Sequence, residues 1–129
     1  MLFRETFQIL CYDKYGDFMI DNIGIDIIEN ERIEKHISKE FINMVLTENE
    51  KLLYFSKIGH KKIEFLCGRF ALKEAIIKAV NKHENPHFQE IEILTKKNGA
   101  PIATFKNYKF IVSIAHEKHY TVAQAILLR

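Results

Sequence analysis

The chain has 129 residues, of which 47% are hydrophobic and 28% charged, and its formal net charge is +2. This length suits one domain with one hydrophobic core, and the composition excludes an intrinsically disordered chain. The small net charge argues against a protein that coats nucleic acid or an anionic membrane, so we expect neither as a partner. No apolar run reaches the roughly 20 residues of a membrane span, and Cys11 and Cys67 form no disulfide framework. We therefore expect a cytoplasmic protein.

The first eighteen residues carry the weakest pattern. Phe7, Ile9 and Cys11 alternate and suggest a short strand. Met19 stands directly before the first strong pattern and is a candidate internal start, which would make residues 1–18 an extension. We otherwise expect residues 1–129 to form a single domain.

A strand is predicted over residues 20–28, because Ile23, Ile25 and Ile27 alternate as they do in a half-buried strand. Asp26 then points to the face opposite these isoleucines. A solvent-facing side chain is one interpretation of Asp26, and a metal ligand is the other.

Three short helices are predicted next. Asn30 opens the first, Ser38 caps the second, and Thr47 with Glu50 forms a capping box for the third. The break at residues 58–60 separates them from a long helix that we expect over residues 61–82.

The long helix is apolar around most of its circumference, which predicts a buried helix. Glu74 nevertheless falls within an apolar arc, with Lys78 one turn later. A carboxylate in such surroundings is costly unless a cation meets it, so Glu74 is a candidate for a site. The alternative is an ordinary surface salt bridge between Glu74 and Lys78, with Arg69 and Lys73 as solvated side chains. Gly68 costs about 1 kcal/mol in a helix relative to alanine, and close approach of another backbone or a ligand would account for it.

The remaining third of the chain has the period of strands. We expect strands over 90–95, 101–105, 110–116 and 120–128, with a hairpin turn at Asn98-Gly99. Strand, helices and a strand meander in this order predict an α+β fold, with helices packed on an antiparallel sheet.

Four segments in order, at suitable spacing, carry a resemblance to a known family. They are Gly24-Ile25-Asp26-Ile27-Ile28-Glu29, the helix segment FLCGRFALKEAIIKA over 65–79, Asn98-Gly99-Ala100-Pro101, and Val112-Ser113-Ile114-Ala115-His116-Glu117-Lys118. Together they closely resemble holo-acyl-carrier-protein synthase, the short bacterial-type group of the 4′-phosphopantetheinyl transferases. The likeness runs from about residue 23 to residue 127, and the α+β meander of that family agrees with the elements predicted above.

The resemblance implies an enzyme that transfers 4′-phosphopantetheine from coenzyme A to a serine of apo acyl carrier protein, releases adenosine 3′,5′-bisphosphate and needs Mg²⁺. By position, Asp26 and Glu74 match the metal ligands of the family. Lys78 and His116 match residues beside the transferred phosphate. Glu74, through an ordered water, and His116 are both candidates for the base that takes the serine proton, and the residues alone do not separate them.

The resemblance also implies how coenzyme A and the carrier protein are held. The residues expected to face coenzyme A are Arg69, Lys61, Lys62, Asn98, Gly99, Pro101, Ser113 and His116. Carrier proteins of this kind are acidic, and Arg32 matches a family position for docking them, while Lys35 and Lys39 are added on charge alone. Members of the family form homotrimers with sites shared between neighbours, which we expect here.

A second function class remains open. A non-catalytic module that binds an acidic protein or RNA would account for the basic residues. Such a module would not explain why the acidic residues Asp26 and Glu74 are present.

Overall fold

A computed structural model describes residues 19–129. The strand predicted at residues 7–11 lies outside these residues. The first half of the described chain contains one strand and four helices, which are β1 (Ile20–Glu29), α1 (Asn30–Lys35), α2 (Lys39–Val45), α3 (Glu48–Ser56) and α4 (His60–Val80). The second half contains a 3₁₀ turn and four strands, which are the turn Phe88–Glu90, β2 (Glu92–Thr95), β3 (Pro101–Thr104), β4 (Lys109–His116) and β5 (Tyr120–Leu128).

The strands form two antiparallel sheets. One contains β1, β5 and β4 in that order, and the other is the hairpin of β2 and β3. The predicted class, α+β with helices on an antiparallel sheet, is confirmed. The hairpin does not join the larger sheet, and the first strand pairs with the last one.

Helix α4 packs against β1 at unusually close range. A Cβ atom on Gly24 would lie 1.9 Å from the carbonyl oxygen of Ala75, so only glycine allows this approach. Gly24 and Asp26 therefore face the helix, and Ile23, Ile25 and Ile27 are turned outward.

The outward isoleucines are 53%, 59% and 63% exposed. The alternation correctly predicted a strand, but it did not predict which face the fold covers. The interpretation of Asp26 as a solvent-facing residue is wrong, because its side chain is only 16% exposed.

The helix starts follow local sequence rules. Ser38 Oγ accepts the backbone N–H of Phe41 at 3.0 Å. Thr47 and Glu50 form the predicted capping box, in which the Glu50 N–H donates to Thr47 Oγ1 and the Thr47 N–H donates to Glu50 Oε1. These side chains satisfy N–H groups that have no partner within the helix.

Helix α4 is the centre of the molecule. Leu72, Ala75 and Ile76 belong to a core cluster shared with Ala123 and Leu127 of β5. Farther toward its N-terminus, the helix belongs to a second core cluster formed with α1, α2 and α3. The prediction of a helix buried on most sides is confirmed.

Lys73 is not a solvated side chain, and that interpretation is wrong. Its ammonium is fully buried and donates to Glu50 Oε1 and to the carbonyl of Val45, both at 2.6 Å. Glu50 Oε2 accepts the N–H of Ile93 at 2.7 Å. This pair joins α4 to the end of α2, the start of α3 and strand β2.

Candidate active site

Asp26, Glu74 and Lys78 meet where β1 crosses α4. Lys78 Nζ lies 3.1 Å from Asp26 Oδ1 and 2.9 Å from the carbonyl of Ile25. The ion pair of Lys78 is therefore with Asp26 on the neighbouring strand. The interpretation of Lys78 as half of a surface pair with Glu74 is wrong, because Asp26 is its salt-bridge partner.

Glu74 is a carboxylate whose negative charge is disfavoured. Partial burial raises its pKa, and the nearby charge of Asp26 raises it further, while Lys78 lowers it. Two carboxylates so placed share one lysine, so a further positive charge would stabilise both. This is the electrostatic setting that the apolar arc around Glu74 predicted.

A cavity of about 450 Å³ opens beside these carboxylates. Asp26 and Glu74 lie in its wall, Arg32 and His36 approach from α1, and Phe41 with Phe70 supplies an apolar surface. The two phenyl rings are stacked, with centroids 5.9 Å apart. The cavity thus combines an acidic pair, a guanidinium and an apolar wall in one concave space.

The chemistry of the two carboxylates suits Mg²⁺. Hard oxygen donors are what this ion prefers, and it commonly takes one or two carboxylates while waters and substrate phosphates complete its shell. Within residues 19–129 there is no group of three or more His, Cys, Asp and Glu side chains that would enclose a metal. Asp26 and Glu74 are therefore an open pair rather than a closed protein cage.

His116 lies at the end of β4 and packs against Gly68 of α4. A Cβ atom on Gly68 would lie 3.2 Å from Cε1 of the imidazole and 3.4 Å from Nε2, which explains a glycine inside this helix. Burial lowers the pKa of His116, Glu64 raises it, and Arg69 and His60 lower it. The neutral imidazole is thus favoured.

Arg69 is buried, so its alternative interpretation as a solvated side chain is wrong. One amino group, Nη2, donates to the carbonyl of Ile93 at 3.1 Å and to Thr95 Oγ1 at 3.0 Å. The guanidinium carbon lies 3.8 Å from the centre of the Phe65 ring, and burial lowers the pKa of Arg69 to about 10. Its Nε is buried and has no hydrogen-bond partner among the described residues.

The other residues predicted to face coenzyme A lie at two places. Lys61 is exposed in the first turn of α4, and Lys62 Nζ lies 5.0 Å from the centre of the Tyr54 ring. Asn98 and Gly99 form the β2–β3 turn, in which Asn98 Oδ1 accepts the N–H of Ala100 and Gly99 has a φ of 89°. The predicted hairpin is confirmed, with Pro101 at the start of β3.

Ser113 lies on the outer face of the larger sheet. It is opposite Gln124, which is in turn opposite Ile25. His116 belongs to the inner face of the same strand, as the alternation predicted. Within one chain, the structure therefore does not bring Ser113 and His116 together.

The basic residues predicted to meet a partner are exposed on α1 and α2. Arg32 reaches the wall of the cavity. Lys35 Nζ lies 3.2 Å from Glu31 Oε1, so its charge is partly compensated. Lys39 is exposed in the first turn of α2.

The sequence patterns did not predict two groups of residues at the site. Phe41 and Phe70 line the cavity, although their sequence pattern indicated only core packing. Thr121 contacts both Asn30 and His116. Asn30 and Thr121 are 91 positions apart, so no local signal pairs them.

The sequence matches the family model of the 4′-phosphopantetheinyl transferase superfamily over residues 22–126. Among curated proteins, it is 44% identical over 117 residues to the holo-[acyl-carrier-protein] synthase of Geobacillus sp. strain WCH70, covering 86% of this chain and 98% of that protein. It is 41% identical over 117 residues to the enzyme of the same name from Anoxybacillus flavithermus, with the same coverage.

Solved structures give the same result. A holo-(acyl-carrier-protein) synthase from Bacillus anthracis, in complex with coenzyme A (3′,5′-ADP), superposes with a TM-score of 0.79 at 40% identity, covering 85% of this chain and 97% of that one. The Helicobacter pylori holo-[acyl-carrier-protein] synthase in complex with coenzyme A gives a TM-score of 0.70 at 29% identity, covering 81% and 98%.

Proposed function

This chain belongs to the 4′-phosphopantetheinyl transferase superfamily, and we propose that it uses a magnesium ion held by Asp26 and Glu74 to modify acyl carrier protein. The chain is an enzyme that transfers 4′-phosphopantetheine from coenzyme A to a serine of apo acyl carrier protein. The observation that carries the metal proposal is the pair of carboxylates at the wall of one cavity, one of which forms an ion pair with Lys78.

The reaction forms one bond and breaks another. The serine oxygen attacks the phosphorus that bears the pantetheine, the bond from this phosphorus to the bridging oxygen of the diphosphate breaks, and adenosine 3′,5′-bisphosphate leaves with that oxygen. Such a transfer depends mainly on positioning and on neutralising negative charge. A bound Mg²⁺ would supply neutralisation of the diphosphate oxygens.

Lys78 is positioned to act on the same oxygens. Its ammonium is half-exposed, and two of its three hydrogens are directed at the carbonyl of Ile25 and at Asp26. The third hydrogen is available to a phosphate oxygen. Lys78 thus orients Asp26 and adds a positive charge beside the transferred group.

The serine proton has two candidate acceptors. Glu74 has a raised pKa, which makes it a better base than an ordinary carboxylate. His116 has a lowered pKa and is therefore neutral at pH 7. Both remain proposals, and His116 can instead hold a phosphate of coenzyme A.

Coenzyme A would be held by the start of α4 and the β2–β3 turn. Lys61 and Lys62 offer flexible ammonium groups to its phosphates, and the turn at Asn98, Gly99 and Pro101 would border the nucleotide. Arg69 is buried against β2, and its buried Nε has no hydrogen-bond partner among residues 19–129. We propose these residues as a coenzyme A surface, with Ser113 contributing from the outer face of the sheet.

The acidic carrier protein would dock beside the cavity. Arg32 is the best-placed basic residue, because it lines the cavity that holds Asp26 and Glu74. Lys39 extends the basic surface to α2, and Lys35 contributes less because Glu31 compensates it. Such charges steer an acidic partner and set its orientation more than they add affinity.

We also propose that the chain forms a homotrimer through the outer face of its larger sheet. Ile23 lies opposite Ile126, which lies opposite Ile111, and Ile111 is 57% exposed. With Ile25 and Ile27, these side chains form an apolar surface that no part of residues 19–129 covers, which is the kind of surface that marks a protein interface. Ser113 lies on this face, so trimer formation would bring Ser113 near a site shared with a neighbouring subunit.

Light scattering tests the trimer. The Ile25→Glu variant should be monomeric where the original chain is trimeric, and a monomeric original chain would contradict the proposal.

The enzyme is tested by incubating it with coenzyme A, Mg²⁺ and an apo carrier protein. The mass of the carrier should increase by one phosphopantetheine group. This modification should stop when a chelator removes the metal, and it should resume when Mg²⁺ is added. Several apo carriers should be compared, since the preferred carrier depends on its docking surface. A chain that modifies none of them but binds RNA or an acidic protein tightly would be the non-catalytic module instead. Modification that survives complete metal removal would contradict the metal proposal.

No helix within residues 19–129 is long and apolar enough to cross a membrane. We retain the cytoplasm as the proposed location, because the two cysteines of the sequence form no disulfide framework.

A further inference from the structure

Three polar side chains run from His116 into the interior of the molecule. His116 Nδ1 lies 3.1 Å from Thr121 Oγ1, and Thr121 Oγ1 lies 2.7 Å from Asn30 Oδ1. Thr121 is fully buried and Asn30 is 8% exposed, whereas His116 is at the surface. A buried hydroxyl and amide need hydrogen-bond partners, so these contacts decide where each hydrogen lies.

The amide of Asn30 has one possible orientation. Its Nδ2 lies 3.1 Å from the carbonyl oxygen of Glu117 and 3.3 Å from that of Lys118. Two carbonyl oxygens can face only a donor, so the nitrogen must point to them and Oδ1 must point to Thr121. The backbone N–H of Asn30 also donates to the carbonyl of His119 at 2.8 Å, which fixes Asn30 against the β4–β5 loop.

The number of hydrogens then determines the state of His116. Asn30 Oδ1 can only accept, so Thr121 must give its single hydroxyl hydrogen to it. Thr121 has no second hydrogen for the imidazole. The contact between Thr121 and His116 therefore requires a hydrogen on His116 Nδ1, and in a neutral imidazole this leaves Nε2 with a free lone pair.

The edge of the ring that carries Nε2 lies against Gly68. A Cβ atom there would be 3.4 Å from Nε2. The charged and titratable groups that act on His116 are Glu64, Arg69 and His60, all on the N-terminal half of α4. This is the half of the helix that carries Lys61 and Lys62, so Nε2 is on the side proposed above for coenzyme A.

We propose that Asn30 and Thr121 are positioning residues that hold His116 as its Nδ1–H tautomer, so that Nε2 is the atom offered to the coenzyme A side. An unprotonated Nε2 can take a proton or accept a hydrogen bond. Once protonated, it can donate to a phosphate oxygen, and the Nδ1 hydrogen stays with Thr121 in both states. The tautomer itself follows from the contacts of the free protein, and only the identity of the ligand rests on the proposed function.

The tautomer can be measured directly by ¹⁵N NMR of the imidazole nitrogens, without coenzyme A and above the pKa of the histidine. The chain has six histidines, so a His116→Gln variant identifies the signals. We expect a protonated-type shift for Nδ1 and an unprotonated-type shift for Nε2. Thr121→Ser retains the hydroxyl and should show the same pattern, whereas Thr121→Val removes it and should give the Nε2–H tautomer or a mixture.

Turnover provides the second measurement. In Thr121→Val, kcat should fall about 10-fold. This is the lower end of the loss seen when the partners that orient metal-bound histidines are removed. Thr121→Ser should keep the normal kcat. A wild-type His116 protonated on Nε2 would overturn the proposal, even if Thr121→Val does not fold. An unchanged tautomer or an unchanged kcat in a folded Thr121→Val would overturn it as well. Because the NMR measurement needs no reaction, a chain without transferase activity could still have this tautomer, and the two proposals fail separately.

Discussion

Helix α4 carries two lysines five residues apart, Lys73 and Lys78, and each pairs with a carboxylate of another element. The surroundings of the two pairs differ completely. Lys73 and Glu50 are both fully buried, and each is surrounded by further hydrogen-bond partners. Lys78 and Asp26 are 51% and 16% exposed, and their carboxylate lies near a second one, Glu74. The first pair has its charges satisfied by the protein alone. The second leaves negative charge beside a cavity, where a cation and a phosphorylated substrate can bind.

Charged residues of one helix thus serve different purposes. A buried ion pair is costly to desolvate, and here it joins four elements of the fold. An open pair with an excess of negative charge has the character of a functional site. The predictions below separate the effects of the two pairs on stability and on turnover.

The largest effect is expected at the open site. Asp26→Ala or Glu74→Ala should lower kcat/KM for coenzyme A by about 10³-fold or more, because each removes a proposed metal ligand. The free energy of unfolding should change by less than about 1 kcal/mol, since neither carboxylate is paired within the core. Carrier modification followed by mass spectrometry and urea denaturation measure the two quantities. Glu48→Gln, on an exposed residue of α3, is the matched control. Near-normal turnover by either alanine variant would refute the metal assignment.

The buried pair of Lys73 and Glu50 should give the opposite result, with a large effect on stability. Glu50→Gln should lower the free energy of unfolding by about 3–5 kcal/mol, because it leaves the ammonium of Lys73 buried without its counter-charge. The double variant Glu50→Gln/Lys73→Met removes both charges and should recover part of this loss. Denaturant titration of the two variants provides the test, and an equal loss in both would show that the charge of Lys73 is not the cause.

Lys78→Met removes the lysine of the open pair, and its effect is compared with the role of Lys73 on the same helix. We expect kcat to fall by about 10²-fold, because the positive charge proposed to act on the transferred phosphate is lost. Stability should change by less than about 1 kcal/mol, because the lysine of this ion pair is half-exposed to solvent. Steady-state kinetics and thermal melting separate these effects. A large loss of stability with normal turnover would place Lys78 with Lys73 among the structural residues.

The smallest effect concerns pH. Because burial lowers the pKa of His116, the unfolded chain takes up this proton at a higher pH than the folded chain. The stability that the neutral His116 contributes is therefore fully present above the ordinary histidine pKa of about 6.5. It is lost as the pH falls through the pKa of His116 in the folded chain. His116→Gln should lose less stability than the original chain between about pH 7.5 and pH 5.5. Parallel denaturation curves at both pH values check this, and an equal loss in both proteins would contradict it.

Local sequence predicted those features that depend on neighbouring residues. The capping box of Thr47 and Glu50, the strand Tyr120–Leu128 and the apolar arc around Glu74 all follow from spacings of a few residues. Close approach at Gly68 was expected from another backbone or a ligand, whereas the group that lies against it is the side chain of His116.

Features that depend on distant residues could not be predicted in this way. Lys73 and Glu50 are 23 positions apart, and nothing in their local patterns pairs them. The outward face of β1 was also not predictable, because alternation defines two faces without saying which one α4 covers. That choice follows from Gly24 and Ala75, whose contact forms only in the folded chain.

A divalent cation between Asp26 and Glu74 is the central element of the proposed function. Crystals grown with coenzyme A and Mn²⁺ in place of Mg²⁺ would locate the ion by its anomalous scattering. We expect one peak about 2.1 Å from a carboxylate oxygen of Asp26 and of Glu74, and in contact with the diphosphate. Bound coenzyme A with its diphosphate far from both carboxylates, and with no peak between them, would contradict the proposed function.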